Sequence, residues 1–524
     1  MSKIKKLIAL SLCALMGLTV ACDNGAESSK DSSSAQGHVC VTEGTWKKDS
    51  TGHWLECSCG EIVDYGSHTG AADNCGEKPT CDVCGAEFGE VKLHNYGGRW
   101  RKDSTAHWLE CDCGKIAGYA SHTTTVDGCG ETPTCDVCGA EFGEPKPHNY
   151  GELTNGAQGL AYYCDCGDFV TNEDLVDFVV EVESGRDPVV LQLSDTQITS
   201  QGNPDDKCYR YIREVVQKTN PDLIVLAGDL IYGSYDTKGT ILLGLIEFME
   251  TLKTPWAPIF GNHDNESLMG VDWQCAQLEA AEYCLFKQGD LTGNGNYTVG
   301  IEQDGELLRV FYMMDSNGCS RPMLDENKVS VTPPAGTNVV KTTAGFGADQ
   351  VLWLGEDIAN LKSFDEDIKF SIVYHIQQQI FGKAFEKYGA LTPGSSALKN
   401  TVNLDTLETA EETDFGYIGA KLKGPWDTNN EIFYKMKGWG IDSIFVGHEH
   451  NNSASIVYEG VRLQYGQKSS TYDRYNVLTS DGQIKSNADA SGTPIMGGTV
   501  IPISRVDGSI GTGYIVYYGN PFNT

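Results

Sequence analysis

Four short apolar runs in this chain each end on a residue that can bind a metal. Val189-Val190-Leu191-Gln192-Leu193 leads to Asp195, and Leu223-Ile224-Val225-Leu226-Ala227 leads to Asp229. Phe370-Ser371-Ile372-Val373-Tyr374 leads to His375, and Ile444-Phe445-Val446 leads to His448. Runs of this length and β-branched content read as buried strands. Between the first two lies a helical pattern. Cys208, Tyr211, Ile212, Val215 and Val216 sit at helical spacing, Asp205 and Asp206 lie at its start, and Pro221 closes it. Strand, helix, strand predicts an α/β domain. Such domains place their sites in the loops beyond strand C-termini, where these residues fall.

The histidines sharpen the point. From residue 186 onward there are only four: His263, His375, His448 and His450. All four fall inside five ordered blocks: Asp195-Thr196-Gln197, Gly228-Asp229, Gly261-Asn262-His263-Asp264, Tyr374-His375 and Gly447-His448-Glu449-His450. The mixed O and N donors suit two adjacent first-row ions better than calcium. A pair of ions needs a bridging group, and Asp229 after a glycine is the natural one. Asp195 and His450 would complete one ion. Asn262, His375 and His448 would complete the other.

These blocks, in this order, resemble the calcineurin-like metallophosphoesterases. Asn220-Pro221-Asp222-Leu223, Gly228-Asp229-Leu230-Ile231-Tyr232, Gln350-Val351-Leu352-Trp353-Leu354 and Phe445-Val446-Gly447-His448 resemble the purple-acid-phosphatase-like branch. The resemblance implies two mixed β-sheets flanked by helices and two divalent or mixed-valence ions (Fe, Mn or Zn). It implies hydrolysis of a phosphomonoester or phosphodiester by a metal-bound hydroxide. It makes His263 the group that protonates the leaving alcohol, with Asp264 orienting its ring. One position departs from the pattern. The family usually has His two residues after the first Asp, and here Gln197 is expected as a weaker ligand. Tyr232 stands where true purple acid phosphatases bind ferric iron, which makes it a candidate ligand beside the packing role usual for a tyrosine. The rival readings are a surface binding protein with an inactive phosphoesterase-like domain and a metal-dependent protein phosphatase.

Residues 1–185 are of another kind. Lys3, Lys5 and Lys6 precede a 15-residue apolar run, Leu7 to Ala21, too short to favour a spanning helix. Leu18-Thr19-Val20-Ala21-Cys22 resembles a bacterial lipobox, with Cys22 lipidated. Residues 1–22 are therefore expected to be a lipoprotein-type signal peptide and 23–37 a Ser-rich tether. The protein is expected outside the cytoplasm, anchored to a membrane or secreted. A repeat of period 54 follows. Trp46 to Trp54 returns as Trp100 to Trp108, and Cys57, Cys59, His68, Cys75, Cys81, Cys84 and His94 return as Cys111, Cys113, His122, Cys129, Cys135, Cys138 and His148. This gives repeat 1 over 38–93, repeat 2 over 94–147, and a partial third copy with its connector over 148–185, ahead of a catalytic domain over 186–524.

With few aliphatic residues, each unit needs a staple. Cys57, Cys59, Cys81 and Cys84, and in the second copy Cys111, Cys113, Cys135 and Cys138, are the candidate structural zinc ligands. His53 and His68 are in reserve, and disulfides are the alternative. The units resemble Cys/His repeats of Gram-positive surface proteins. They suit a spacer or a cell-wall contact.

A formal net charge of −33 excludes a nucleic-acid-binding face and repels phosphorylated small molecules at long range. Attraction must come from cations local to the site. The irregular segments 321–346 and 381–428 are expected to line its entrance. Cys208, Cys275, Cys284 and Cys319 are candidates for two disulfides.

Overall fold

The computed structural model describes residues 41–519, apart from 43, 126–127, 201–202, 319–342, 387–398, 401–413 and 421. Cys22, the signal segment, the tether and Cys319 lie outside the described residues. Among the described residues, no helix is long and apolar enough to cross a membrane. The chain divides into two compact units, Met1–His148 and Asn149–Thr524.

In the first unit the sequence repeat is a structural repeat. Strands Lys47–Lys48, Gly52–Glu56 and Ile62–Ser67 form one three-stranded sheet, and Trp100–Lys102, Ala106–Glu110 and Ile116–Ser121 form its copy. Both carry an irregularity at the same place, between His53 and Leu55 and between His107 and Leu109.

The second unit holds two large mixed sheets. The smaller contains three parallel strands, β1 (Val189–Leu193), β2 (Leu223–Ala227) and β3 (Trp256–Ile259), and is extended antiparallel by Gly497–Pro502 and Tyr514–Tyr517. All five residues of β2 are buried, as expected of a central parallel strand covered on both faces. β3 is the edge. It carries Pro258, which has no N–H to give to a further strand and is tolerated there for that reason. Helix α1 (Asn203–Thr219) buries Cys208, Ile212, Val215 and Val216. It ends at Asn220, whose φ of 43° takes the chain out of the helix before Pro221.

The larger sheet has nine strands. Two adjacent parallel members, β4 (Lys369–Val373) and β5 (Ile441–Val446), carry the later motifs. The sheet also includes Phe178–Val182, so it begins before residue 186. A large apolar core joins both sheets, from Leu191 and Val225 to Ile372 and Phe445. Polar links cross it as well. Gln192 Nε2 of β1 donates to the Val446 carbonyl of β5 (3.0 Å), and Gln464 Nε2 donates to Gln192 Oε1 (2.8 Å). Tyr297 Oη donates to the Pro258 carbonyl (2.6 Å). Each such bond satisfies a buried group that would otherwise cost about 1–3 kcal/mol. The ends of β1, β2, β3, β4 and β5 are thereby fixed against one another.

Among the described residues, and against expectation, Cys208, Cys275 and Cys284 do not pair with one another. None of them is disulfide-bonded to another described cysteine. Burial pushes the Cys275 and Cys284 thiols up, so they behave as small apolar groups.

Candidate metal centre

Each of the five strands ends in a turn that aims a donor at one point. The backbone there is unusual. Asp195, Gln197, Asp229 and His448 all adopt left-handed φ values, 52°, 42°, 51° and 73°. Non-glycine residues in that region are uncommon and cluster at functional sites. Two glycines permit the close approach. A Cβ on Gly228 would stand 2.5 Å from His375 Nδ1, and one on Gly447 would stand 2.6 Å from the Ala227 carbonyl oxygen.

Asp229 is the hub. Its Oδ1 accepts the backbone N–H of His263 (2.8 Å) and lies 3.4 Å from His375 Nε2. Its Oδ2 accepts Gln197 Nε2 (3.2 Å). Asp195 Oδ1 lies 3.2 Å from His450 Nε2 and accepts the backbone N–H of His448 (3.3 Å). Donor atoms of Asp195, Asp229 and His450 all lie within 4.8 Å of one another. On the other side, His448 Nδ1 stands 2.8 Å from Asn262 Oδ1. His375 Nδ1 faces the Ala227 carbonyl (2.7 Å), which leaves Nε2 for the hub. That Nε2 is buried and has no hydrogen-bond partner. An orphaned imidazole nitrogen beside a buried carboxylate fits a first-row ion.

The electrostatics agree. Burial would raise Asp195 and Asp229. Histidine neighbours outweigh it, His450 for Asp195 and His375 for Asp229, and hold both carboxyls well below the usual range. Burial would lower His375, yet Asp229 and then Asp195 push it up to about 9. His448 is lowered to about 3 by burial and by His375, and His450 is lowered by burial and by Lys468. Two ionised carboxylates and two neutral imidazoles are thus ready as donors without a proton to lose.

Asp264 does not touch the His263 ring. Both its oxygens accept backbone amides, Ile231 N (2.9 Å) and Gly261 N (2.7 Å), so it pins two loops together. Burial and then Asp229 push its carboxyl up to about 7. The ring instead faces Glu266, whose Oε2 lies 3.2 Å from His263 Nδ1. Glu266 stands three residues on, across the single turn Asp264–Glu266, where a 3₁₀ turn stacks positions i and i+3. Gln197 is held at both ends. Its Oε1 accepts the ammonium of buried Lys468 (2.9 Å), which also donates to the Asp195 carbonyl (3.0 Å). The amide oxygen expected to meet a metal is therefore turned to a cation. Tyr232 stacks on His263, ring centroids 4.1 Å apart.

A cavity opens over the hub, lined by Asp229, Asn262, His263, His448, His450, Asn451, Lys423, Asp473 and Arg474. Lys423 and Arg474 are its cations. Asp473 Oδ2 lies 3.4 Å from His450 Nδ1, on the side away from Asp195. Of the segments expected at the entrance, 321–346 and 381–428, much lies outside the described residues. Lys423 belongs to the second of them.

The repeats form separate groups. Cys81 and Cys84 meet His53 and His68, not Cys57 and Cys59, and Cys135 and Cys138 meet His107 and His122, not Cys111 and Cys113. Cys81 Sγ lies 3.5 Å from His53 Nδ1, and Cys84 Sγ lies 3.5 Å from His68 Nδ1. His53 within the hairpin Gly52–Ser67 and His68 just after it reach the Cys-x-x-Cys turn, so the all-thiolate arrangement gives way to Cys₂His₂ groups.

Residues 188–368 match the family model described as Calcineurin-like phosphoesterase. The matched stretch contains Asp195, Gln197, Asp229, Asn262 and His263. The chain is 31% identical over 125 residues to phosphatase DCR2 of Saccharomyces cerevisiae, covering 22% of each chain. It is 24% identical over 285 residues to probable inactive purple acid phosphatase 29 of Arabidopsis thaliana, covering 49% of this chain and 61% of that one. Among solved structures, a dimetal phosphatase from Danio rerio aligns with a TM-score of 0.35 at 11% identity, over 63% of this chain and 98% of that one. The chain spans between 22% and 61% of the lengths of the curated relatives it matches. It carries a calcineurin-like phosphoesterase domain with purple-acid-phosphatase-like relatives.

Proposed function

We propose that this chain hydrolyses small phosphate esters at a dinuclear metal centre built around Asp229. We also propose that it works outside the cytoplasm, held to a membrane through lipid on Cys22. The observation that carries the catalytic reading is the convergence of Asp195, Asn262, His375, His448 and His450 on one buried carboxylate. Two divalent ions held there would polarise the phosphate and activate a water.

The chain's own residues supply the rest. His263 stands beside the hub with its pKa raised. Burial lowers its affinity for a proton, but Asp229 and Glu266 more than restore it. The imidazolium can therefore protonate the departing alkoxide. Tyr232 fixes the plane of the ring by stacking, and the Glu266 carboxylate lies 3.2 Å from its Nδ1. Lys423 and Arg474 give the cavity the local positive charge that a phosphoanion needs against a net charge of −33. Asp473 orients His450.

The contact between Gln197 and Lys468 favours a second reading, a binding protein with an inactive domain, because a buried ammonium beside the first ion would weaken that ion's hold. The full chain, reconstituted with Mn, Fe or Zn, is expected to turn over an aryl phosphate or an aryl phosphodiester. Loaded protein that binds both and cleaves neither would establish the second reading.

A further inference from the structure

The two Cys₂His₂ groups leave Cys75, His94, Cys111 and Cys113 unused in the repeat unit. The fold brings these four together. Their ligand atoms all lie within 4.8 Å of one another. Cys75 Sγ stands 3.1 Å from Cys111 Sγ, and Cys113 Sγ stands 3.3 Å from His94 Nδ1. The edges of a zinc tetrahedron, with Zn–S about 2.3 Å and Zn–N about 2.0–2.1 Å, are about 3.3–3.8 Å long. The Cys113–His94 separation is of that size, and the Cys75–Cys111 one is shorter, so the four atoms enclose a space that an ion would open slightly.

The backbone prepares both halves. Gly76 N donates to the Lys92 carbonyl (2.7 Å) and Lys92 N to the Glu77 carbonyl (2.9 Å), which holds Cys75 and His94 side by side. Gly114 N donates to the Cys111 carbonyl (2.7 Å), closing the turn that presents Cys111 and Cys113 on one side. The two halves flank the junction between the copies. Cys75 and His94 follow the first sheet, and the Cys-x-Cys belongs to the second.

Little else holds these copies. Among the described residues between 41 and 148, every buried side chain is a cysteine, an alanine or a histidine: Cys57, Ala72, Cys81, Ala86, Ala106, Cys111, Cys135 and Ala140, with His53, His107 and His122. Among the described residues here, no hydrophobe larger than cysteine is buried. A segment of this kind folds on metal or not at all.

The geometry points to a Cys₃His zinc site shared between successive repeats, in which one ion from Cys75, His94, Cys111 and Cys113 clamps the first copy to the second. The site explains the odd cysteine. The second copy spends Cys135 and Cys138 on its own Cys₂His₂ ion and Cys111 and Cys113 on the clamp, to which the first copy gives Cys75. The metal thus sets the stiffness of the joint.

The test is zinc content of the full reduced chain, measured by mass spectrometry of the element against protein concentration. Cys75→Ser and Cys113→Ser are each expected to lose one equivalent relative to the parent chain. The double variant is expected to lose that same one. Cys84→Ser combined with Cys75→Ser should lose two, because those ions are separate. Two equivalents lost from Cys75→Ser/Cys113→Ser, or none from either single variant, would overturn the shared site. A second measurement does not depend on variants. Cobalt(II) added to the metal-free parent should give thiolate-to-cobalt absorption that grows through three tetrahedral equivalents or more; saturation at two would contradict the clamp. A Cys75–Cys111 disulfide in peptide maps of chain purified without reductant and alkylated before digestion would also overturn it.

Discussion

Gly261→Ala probes the centre through a single methyl group. Gly261 is the first residue of the Asn262 turn, and it packs against the hub. A Cβ there would lie 2.3 Å from Asp229 Oδ1, 2.4 Å from Asp229 N and 2.8 Å from His375 Cδ2. An ordinary contact begins near 3.4 Å, so the overlap is about 1 Å. None of the three neighbours can yield cheaply. The Asp229 backbone is held at a left-handed φ with its carbonyl bonded to Gln197 N (2.8 Å), and the His375 ring is fixed by the Ala227 carbonyl (2.7 Å). Overpacking of this kind costs about 1–3 kcal/mol, which for a large domain lowers Tm by roughly 2–10 °C. The effect on metal is larger, because metal bonds near 2.1 Å do not survive a ligand shift of about 1 Å. Calorimetry of the metal-free variant, paired with metal analysis after reconstitution, separates the two effects. The expected result is a folded protein that has lost most of its catalytic-domain metal and its turnover. Gly438→Ala is the control. It lies in the helix Glu431–Trp439 with open space around its Cβ, so the change should be neutral or stabilise by about 0.5–1 kcal/mol. A Gly261→Ala protein with full metal content and full activity would refute the reasoning.

Other substitutions separate the roles. Asp229→Asn should abolish metal loading and turnover together, while His263→Ala should keep the metals and lose about 10²–10⁴-fold in rate, read by metal analysis and an aryl phosphate assay. Glu266→Gln should move the alkaline limb of the rate profile to lower pH. His263 acts protonated and its pKa is raised by Asp229 and by Glu266 at 3.2 Å, so activity is lost as pH rises through that value. An unmoved limb would remove Glu266 from the account. With the Cys/His groups already loaded, metal binding at the Asp229 centre at pH 7 should release about one proton, from His375 at about 9, with apparent affinity rising about tenfold per pH unit below that value. Calorimetric titration in buffers of different ionisation enthalpy reads this directly, and release of no proton would contradict it.

The sequence discloses the centre because chemistry and local pattern coincide there. Apolar runs ending on Asp195, Asp229, His375 and His448 are legible as strands, and the scarcity of histidine makes each one informative. β3 hides because Pro255 and Pro258 look like breakers in a strand that is tolerable only at an edge. Asp264 misleads because adjacency to His263 suggests contact, whereas a 3₁₀ turn brings Glu266 to the ring. The i, i+3 spacing was the available signal. Lys468 gives no local signal. It reaches Gln197 across 271 positions, and only the paired sheets bring the two together. In the repeats, the spacing of each Cys-x-Cys allows union with its own Cys-x-x-Cys or with the copy before it. The choice is made by the hairpin and the residue just after it, which carry His53 and His68 into the place the thiolates were expected to take.

Anomalous diffraction from crystals of the reconstituted chain, collected on both sides of the metal's absorption edge, bears most directly on the central proposition. Two peaks should flank the Asp229 carboxylate, each within about 2.5 Å of one of its oxygens. One should adjoin Asp195 and His450, and the other Asn262, His375 and His448. Peaks confined to the Cys/His repeats, with nothing at Asp229 in a fully loaded protein, would contradict it.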